Sequence, residues 1–238
     1  MRIALIGYGK MGKAIERIAV GRGHEIVLKI DLDNGQEMTR ENLLKADVAI
    51  EFTGPSSAAA NLLKCAKAGI PVVCGSTGWL ERYPEIKEAF EKSGSAFLYA
   101  SNFSIGVNIF FELNKKLAAL MLPFPEYAVE MHEIHHTQKK DAPSGTAITL
   151  AEQILAEIPS LKSWVNRQAE HEGELPIISK RLDPAPGTHL VKYHSSIDDI
   201  EIIHTAHNRE GFAGGAVLAA EFIQHKKGVF SMKDVLGF

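Results

Sequence analysis

Residues 1–31, MRIALIGYGKMGKAIERIAVGRGHEIVLKID, decide the fold. Arg2 to Ile6 is a short β-favouring run. Gly7-Tyr8-Gly9-Lys10-Met11-Gly12 follows it and fits G-x-G-x-x-G. Met11, Ile15, Ile18 and Ala19 then fall at helical spacing, which predicts a helix over Lys10 to Val20. Glu25 to Asp31 reads as a second strand, and Asp31 stands nineteen residues past Gly12. That spacing is close to the ~20 residues expected of a dinucleotide-binding βαβ unit. The three glycines differ in what they allow. Gly7 permits a tight turn, Gly9 lets the backbone approach a pyrophosphate, and Gly12 allows close helix–strand packing. The helix start offers free N–H groups to the anion, and Asp31 can accept hydrogen bonds from a ribose. The plain alternative is a glycine-rich turn without a ligand. With strand, helix and acidic residue all in place, dinucleotide binding is the better account.

Strand–helix alternation continues outward. Ala46 to Thr53, Pro71 to Cys74 and Ser95 to Ala100 read as strands; Pro55 to Ala68 and Pro84 to Lys92 read as helices. Continuous apolar strands separated by helices imply a parallel sheet covered on both faces, a doubly wound α/β domain. Gly75-Ser76-Thr77 and Ala100-Ser101-Asn102 follow strands, the positions at which open parallel sheets bind ligands. Asp31, Leu32 and Asp33 contain no base to meet a 2′-phosphate, and a carboxylate repels one, which favours NADH over NADPH. Lys10 is near enough in sequence to blunt that preference.

The pattern changes near residue 103. Ser104 to Met121 is a long amphipathic helix candidate, followed by Pro123 and Pro125. Tyr127 to Glu133, Pro176 to Leu182, His189 to His194 and Ile200 to Ala206 read as strands, with one clear helix among them at Thr146 to Ile158. This predicts a second, α+β domain on a mixed or antiparallel sheet. Gly211 to His225 returns to helix, and Ser231 with Asp234 can cap a last short turn. The 238 residues are 45% hydrophobic and 23% charged, with a net charge of −3. Such a chain is globular and carries no electrostatic footprint for nucleic acid or an anionic membrane. No run of membrane-spanning length and no signal-peptide pattern is present, so a cytoplasmic location is expected, with Cys65 and Cys74 as reduced core thiols.

Nine of the ten histidines lie at or after residue 132, and three fall in His132-Glu133-Ile134-His135-His136-Thr137-Gln138-Lys139-Lys140-Asp141-Ala142-Pro143-Ser144-Gly145-Thr146. One literal match is H-E-x-x-H, from His132, Glu133 and His136, which on a helix would bind zinc. Tyr127, Val129 and Met131 alternate with Ala128, Glu130 and His132, which argues for a strand, so no metal is expected. The second reading is a polar active-site loop. His135, His136 and Lys139 supply an acid titrating near neutrality and a cation. Ser144, Gly145 and Thr146 open a helix whose free N–H groups suit a small substrate bearing carboxylates. A solvated turn with Ser144 as a helix cap is the bland alternative.

Glu133-Ile134-His135-His136, then Lys139, Asp141 and Pro143-Ser144-Gly145-Thr146-Ala147, closely resembles the signature of the dihydrodipicolinate reductase family. The resemblance spans most of the chain. Gly7 to Gly12 is similar to the family's cofactor loop, Glu51-Phe52-Thr53 and Gly75 to Gly78 to its next cofactor-side segments, and Ala100-Ser101-Asn102-Phe103-Ser104 to its domain-crossing strand end. Gly187-Thr188-His189, His204-Thr205-Ala206, Arg209 to Ala216 and Asp234-Val235-Leu236 are similar to later segments. The resemblance implies cofactor contacts from Gly7, Tyr8, Gly9, Lys10, Met11, Gly12, Asp31, Phe52, Thr53, Gly75, Ser76, Thr77, Ala100, Ser101, Asn102 and Phe103. It implies His135 as acid/base, Lys139 as catalytic lysine, and His136, Ser144, Gly145 and Thr146 as contacts to a small dicarboxylate substrate. It also implies a Rossmann-type dinucleotide domain of residues 1–102 plus 211–238, a substrate and oligomerisation domain of 103–210, and a homotetramer. The implied activity is NAD(P)H-dependent reduction of 4-hydroxy-tetrahydrodipicolinate, with loss of water, in lysine and diaminopimelate biosynthesis. The glycine loop is one residue shorter than in many members, and Leu32 stands where many carry a base; both count against an NADPH preference. Leu161 to Glu174 matches poorly and receives no role. Two alternatives stand beside this reading: another Rossmann reductase or dehydrogenase on a different small carboxylate, and an NAD(H) sensor without turnover, which has no need of the His135, His136 and Lys139 set.

Overall fold

Strand residues of the first hundred alternate between two apolar layers, and that alternation builds the first unit. Ala4 and Ile6 of β1 (Arg2–Ile6) face one layer, while Ile3 and Leu5 face the other. The structure is a computed structural model that describes residues 1–208 and 210–238; Arg209, within one of the family-like segments, lies outside the described residues. After β1 come α1 (Lys10–Gly21), β2 (Glu25–Ile30), α2 (Arg40–Leu43), β3 (Val48–Glu51), α3 (Pro55–Ala68), β4 (Val72–Cys74), α4 (Tyr83–Ser93), β5 (Ala96–Tyr99) and α5 (Ile105–Met121). The second half holds β6 (Ala128–His135), α6 (Gly145–Glu157), β7 (Ser163–Val165), β8 (Glu174–Arg181), β9 (Gly187–His194), β10 (Asp199–Ala206), α7 (Glu210–Ile223), β11 (Gly228–Phe230) and α8 (Met232–Leu236).

The chain divides into two compact units. Met1–Ile105 with Glu210–Phe238 form one, and the residues between them form the other. In the first, the strands run parallel in the order β2-β1-β3-β4-β5-β11. Residues of α3 and α4 cover one face, and residues of α1, α7 and α8 cover the other. This is the doubly wound arrangement that continuous apolar strands require. The strand order reverses between β1 and β3, so a crevice opens beyond their carboxyl ends, where the Gly7 loop and Phe52-Thr53 lie.

In the second unit the order is β10-β9-β6-β8-β7. β9 pairs antiparallel with β10 and β6, while β6–β8 and β8–β7 are parallel, so the sheet is mixed. Phe110, Ala118 and Met121 of α5 and Leu150 and Ile154 of α6 pack with Met131, Ile177, Val191 and Tyr193 on one sheet face.

Three short elements escape the sequence reading. α2, four residues capped by the Thr39 hydroxyl, has no apolar period to show. β11 and β7 are three-residue edge strands, and β7 lies within the stretch that receives no role. One boundary is a correction: β6 runs on to His135, because β8 and β9 keep pairing with it past Met131. The strand read as ending at Glu133 therefore runs two residues further, into the segment read as a polar loop. The Ser231 N–H donates to the Asp234 carboxylate at 2.7 Å, tying down the start of α8.

Candidate active site

Two constellations emerge, one within each unit. In the first, Gly7 turns the chain after β1 with φ +95°. A side chain there would put Cβ 2.2 Å from the Phe52 carbonyl oxygen, and one at Gly12 would put it 2.3 Å from the Gly7 carbonyl oxygen. Both glycines are thus demanded by close approach. Beside Gly9, by contrast, nothing lies within 4 Å of the Cβ position, so the loop is open there. α1 begins at Lys10 with no side-chain cap and no acidic residue in its first turn, which leaves donor groups for an anion. A cavity of about 480 Å³ runs along this edge, lined by Gly7, Gly9, Asp31, Phe52, Thr53 and Lys64 among others. That volume suits a cofactor site. Leu32, at 102% of reference exposure, lines the rim where a 2′-phosphate partner would stand. These residues fit a dinucleotide.

Thr53 is held from behind by a buried carboxylate. Its hydroxyl and its N–H both donate to Glu51, the N–H also reaches the Ser76 hydroxyl at 2.8 Å, and the Ser57 hydroxyl donates to Thr53 Oγ1 at 2.9 Å. The Cys74 thiol donates to the same Glu51 at 3.1 Å, and burial pushes both free thiols, Cys65 and Cys74, upward in pKa, away from reactivity. Other residues of the implied cofactor set stand off the cavity. The Tyr8 hydroxyl donates to Glu16 and accepts from Lys29 at 3.3 Å. Lys10 is exposed at the helix start, and Met11 and Gly12 pack inward. Gly75 abuts the Phe52 ring, Ser76 is buried and Thr77 is exposed. Ala100 is half-buried, Ser101 exposed, and Asn102 Oδ1 accepts from the Ser104 N–H at 2.9 Å. The Phe103 side chain belongs to the core, 5.7 Å from the Phe52 ring.

The second constellation gathers around Glu133, fully buried on the inner face of β6. Its Oε1 accepts from Arg181 Nη2 at 3.0 Å, and its Oε2 accepts from the Ser144 N–H at 3.1 Å. Burial alone would raise its pKa, but contacts from His135, Ser144, Ser179 and Arg181 outweigh that and hold the carboxyl well below its ordinary range. His135, two residues on and so on the same face, brings Nδ1 to 3.2 Å from Oε2. His189 of β9 sits edge-on to the His135 ring, with centroids 5.1 Å apart, and its Nε2 is 3.0 Å from Ser144 Oγ. Burial, then the neighbouring His135, lowers the His189 pKa to about 4.

Ser144 caps α6, accepting from the Ala147 N–H at 3.2 Å, while Gly145 and Thr146 begin the helix with no neighbour within 4 Å of a Cβ at 145. The Ser144 side chain is thus turned inward, and the donors left free at this helix start are backbone ones. Lys139 Nζ donates to Asp141 at 2.8 Å. The Arg181 guanidinium donates to the carbonyls of Lys139 (3.4 Å) and Asp141 (2.6 Å), so it pins the lysine-bearing loop to β8. His136 lies just past the strand, half-buried, lining a shallow pocket with Gln138, Asp183 and Pro184. The H-E-x-x-H reading fails on this geometry. On a strand His132 points to the outer face, 3.2 Å from Glu130, while Glu133 points inward. Glu133, His135 and His189 do bring ligand atoms within 4.8 Å of one another, but both carboxylate oxygens are engaged by Arg181 and Ser144.

Models of the N-terminal and C-terminal halves of dihydrodipicolinate reductase match residues 1–103 and 106–236. The chain belongs to the dihydrodipicolinate reductase family. It is 55% identical over 236 residues to the 4-hydroxy-tetrahydrodipicolinate reductase of Christiangramia forsetii, covering 99% of this chain and 98% of that one. It is 36% identical over 238 residues to that of Thermosipho africanus, covering 99% and 98%. Among solved structures it is similar to a dipicolinate-bound dihydrodipicolinate reductase from Paenisporosarcina sp. TG-14, with a TM-score of 0.78 and 25% identity over 97% of each chain.

Seen as a dihydrodipicolinate reductase family member, the chain shows which polar residues its linear motif leaves unread. In the sequence Glu133 stands out in a discarded zinc motif and at the head of the family-like signature, with no role assigned to it, and Arg181 does not stand out at all. His189 falls within a family-like segment, with no role of its own. Parity on the strands is the signal that could have found them. His189 alternates with Val191 and Tyr193 on the buried face of β9, a position a histidine takes only with a partner. His24, the one early histidine, pairs at 2.7 Å with Glu221 and is structural.

Proposed function

We propose that this chain is an NAD(P)H-dependent reductase converting 4-hydroxy-tetrahydrodipicolinate, with loss of water, to tetrahydrodipicolinate in lysine and diaminopimelate biosynthesis. One observation carries the reading. A single segment, Glu133 to Thr146, brings an imidazole, a lysine and an uncovered helix start around one buried carboxylate, in a chain that matches the family from end to end. The dipicolinate ligand of the Paenisporosarcina relative belongs to the substrate class that such a helix start binds.

In this reading residues 1–102 plus 211–238 hold the dinucleotide, and 103–210 hold the substrate and build a homotetramer. Gly7 and Gly9 leave room for a pyrophosphate, and Asp31 takes the adenosine ribose. When bound, the reduced nicotinamide supplies a hydride. Backbone donors at Gly145 and Thr146, with His136, orient the substrate carboxylates. Lys139 offsets the negative charge that develops on the ring, and His135 hands on the proton, so most of the gain is alignment and charge stabilisation. Asp31 and the bare rim at Leu32 favour NADH. The free, buried thiols fit a cytoplasmic location.

The test is to mix enzyme, enzymatically generated substrate and NADH or NADPH, and follow nicotinamide absorbance. Substrate-dependent oxidation, with kcat/KM for NADH at least equal to that for NADPH, is expected. Binding of NADH without turnover would instead make the chain a sensor, and a large NADPH advantage would remove the cofactor assignment.

A further inference from the structure

Glu133 takes no part in the reduction as derived above, yet the second site is assembled around it. One oxygen faces a cation, Arg181, at 3.0 Å. The other accepts the Ser144 N–H at 3.1 Å and stands 3.2 Å from His135 Nδ1. That ring nitrogen is buried and completes no hydrogen bond of its own, with the Glu133 oxygen its near neighbour. Its N–H is not aligned on the oxygen, an arrangement common in catalytic pairs before substrate binds. The other ring nitrogen, Nε2, faces the backbone of Gly187. A Cβ there would come within 3.0 Å of Nε2, so the glycine leaves that atom room. The two nitrogens of His135 therefore have unlike surroundings: an anion beside Nδ1, and space beside Nε2.

We propose that Glu133 is a positioning residue for His135. Its carboxylate keeps the proton of the neutral imidazole on Nδ1, so that Nε2 exchanges the proton with substrate. Through the Ser144 N–H, the same carboxylate ties that ring to the start of α6, where the substrate carboxylates are held. The physical reason is general. A fixed anion next to one ring nitrogen selects the tautomer with hydrogen on that nitrogen and steadies the imidazolium when it forms. Glu133 is able to act this way because its contacts keep it ionised in a buried place. The other charged or titratable groups around the ring are His189 on β9, Arg181 on β8, His204 on β10, and Lys139 and Asp141 on the loop after β6. Arg181 is satisfied by Glu133 and three carbonyls, and Lys139 by Asp141. Among the described residues Glu133 is the one acid within 4.0 Å of the His135 ring nitrogens.

The inference rests on the reading of His135 as the proton-handling residue, and the experiment separates the two. Nitrogen-15 NMR on the full-length enzyme reads the tautomer of each neutral histidine, and the resonance lost in His135→Gln assigns His135. In the unmodified enzyme Nδ1–H is expected; an Nε2–H signature overturns the proposal without any variant of Glu133. In Glu133→Gln, which keeps shape but loses charge, the Nδ1–H signature gives way to Nε2–H or a mixture. There kcat falls roughly 10²–10⁴-fold with a displaced pH profile, in the manner of other carboxylate–histidine pairs, while NADH Kd stays unchanged. Loss of thermal stability alone, with tautomer and pH profile intact, overturns it. Full kcat in His135→Gln overturns the acid/base reading instead, and the tautomer measurement still scores what Glu133 does to the ring.

Discussion

At the residue scale, Lys139 shows how a short motif is made chemically specific. Its ammonium is paired with Asp141 at 2.8 Å, and its hydrogen bond draws the Asp141 carboxyl below the ordinary range. The lysine is therefore held by an acid two residues away, with Arg181 fixing the backbone beneath it. Replacing Lys139 with Ala removes a cation without touching the dinucleotide groove, which is lined by residues of the other unit. Steady-state kinetics should show kcat reduced by roughly 10² or more, while NADH Kd from fluorescence titration changes less than about twofold. Near-normal kcat would take Lys139 out of the mechanism. The spacing of His135, His136 and Lys139 made this cluster legible, because all three sit within five residues. His189 was illegible for the opposite reason. It lies on a different strand and reaches the site only because β9 pairs with β6 in a register that sets Glu133 opposite His189. No local pattern carries a cross-strand register; it has to be read from the folded sheet.

At the element scale, the start of α6 joins stability to the substrate binding proposed for it. Ser144 is the N-cap, its hydroxyl accepts from Ala147, and its own N–H is given to Glu133. Ser144→Ala removes the cap and the His189 contact and leaves the backbone donor in place. Urea denaturation should register a loss of about 1–2 kcal/mol, and substrate KM should rise more than NADH Kd. An unchanged denaturation midpoint would mean that the cap contributes nothing. The long elements of this fold were readable because they are strongly patterned. α3 is reproduced at both ends, since Pro55 opens it and Gly69 closes it in a left-handed turn. α2, β7 and β11 were not, because three or four residues cannot display a period and their pairing depends on neighbours. The end of β6 was misread for a related reason. His135 is polar by composition but buried by register, so a hydrophobicity pattern stops two residues too early.

At the scale of the whole molecule, the second sheet has one face packed on α5 and α6 and another that carries Ile178, His132, Leu190 and Ile203 in adjacent register across four strands. Ile203 is exposed on the edge strand β10. In the homotetramer proposed above this row is the natural surface to cover, and on that proposal Ile203→Lys should lower the mass seen by light scattering; a mass unchanged at low micromolar concentration would move the interface elsewhere. Acid stability is set by the inner face of the same sheet. The folded-state pKa of Glu133 is depressed, so its contribution is present above its unfolded value and is lost as pH falls through the folded one. For His189 the folded-state pKa is also lowered, to about 4 from 6.5. The unfolded chain therefore binds that proton first, and stability rises with pH between those values. Unfolding free energy should fall as the enzyme is acidified from about pH 6.5 to 4, by up to about 3 kcal/mol from His189 alone. The fall should then continue as Glu133 is protonated. His204, lowered by burial, acts in the same direction. Urea denaturation at a series of pH values measures the slope, and His189→Gln should flatten the upper part while leaving the lower part, which belongs to Glu133. If the variant and the unmodified enzyme lose stability in parallel from pH 6.5 to 4, the buried histidine is not the acid-labile group, and the carboxylate beside it must carry the whole effect.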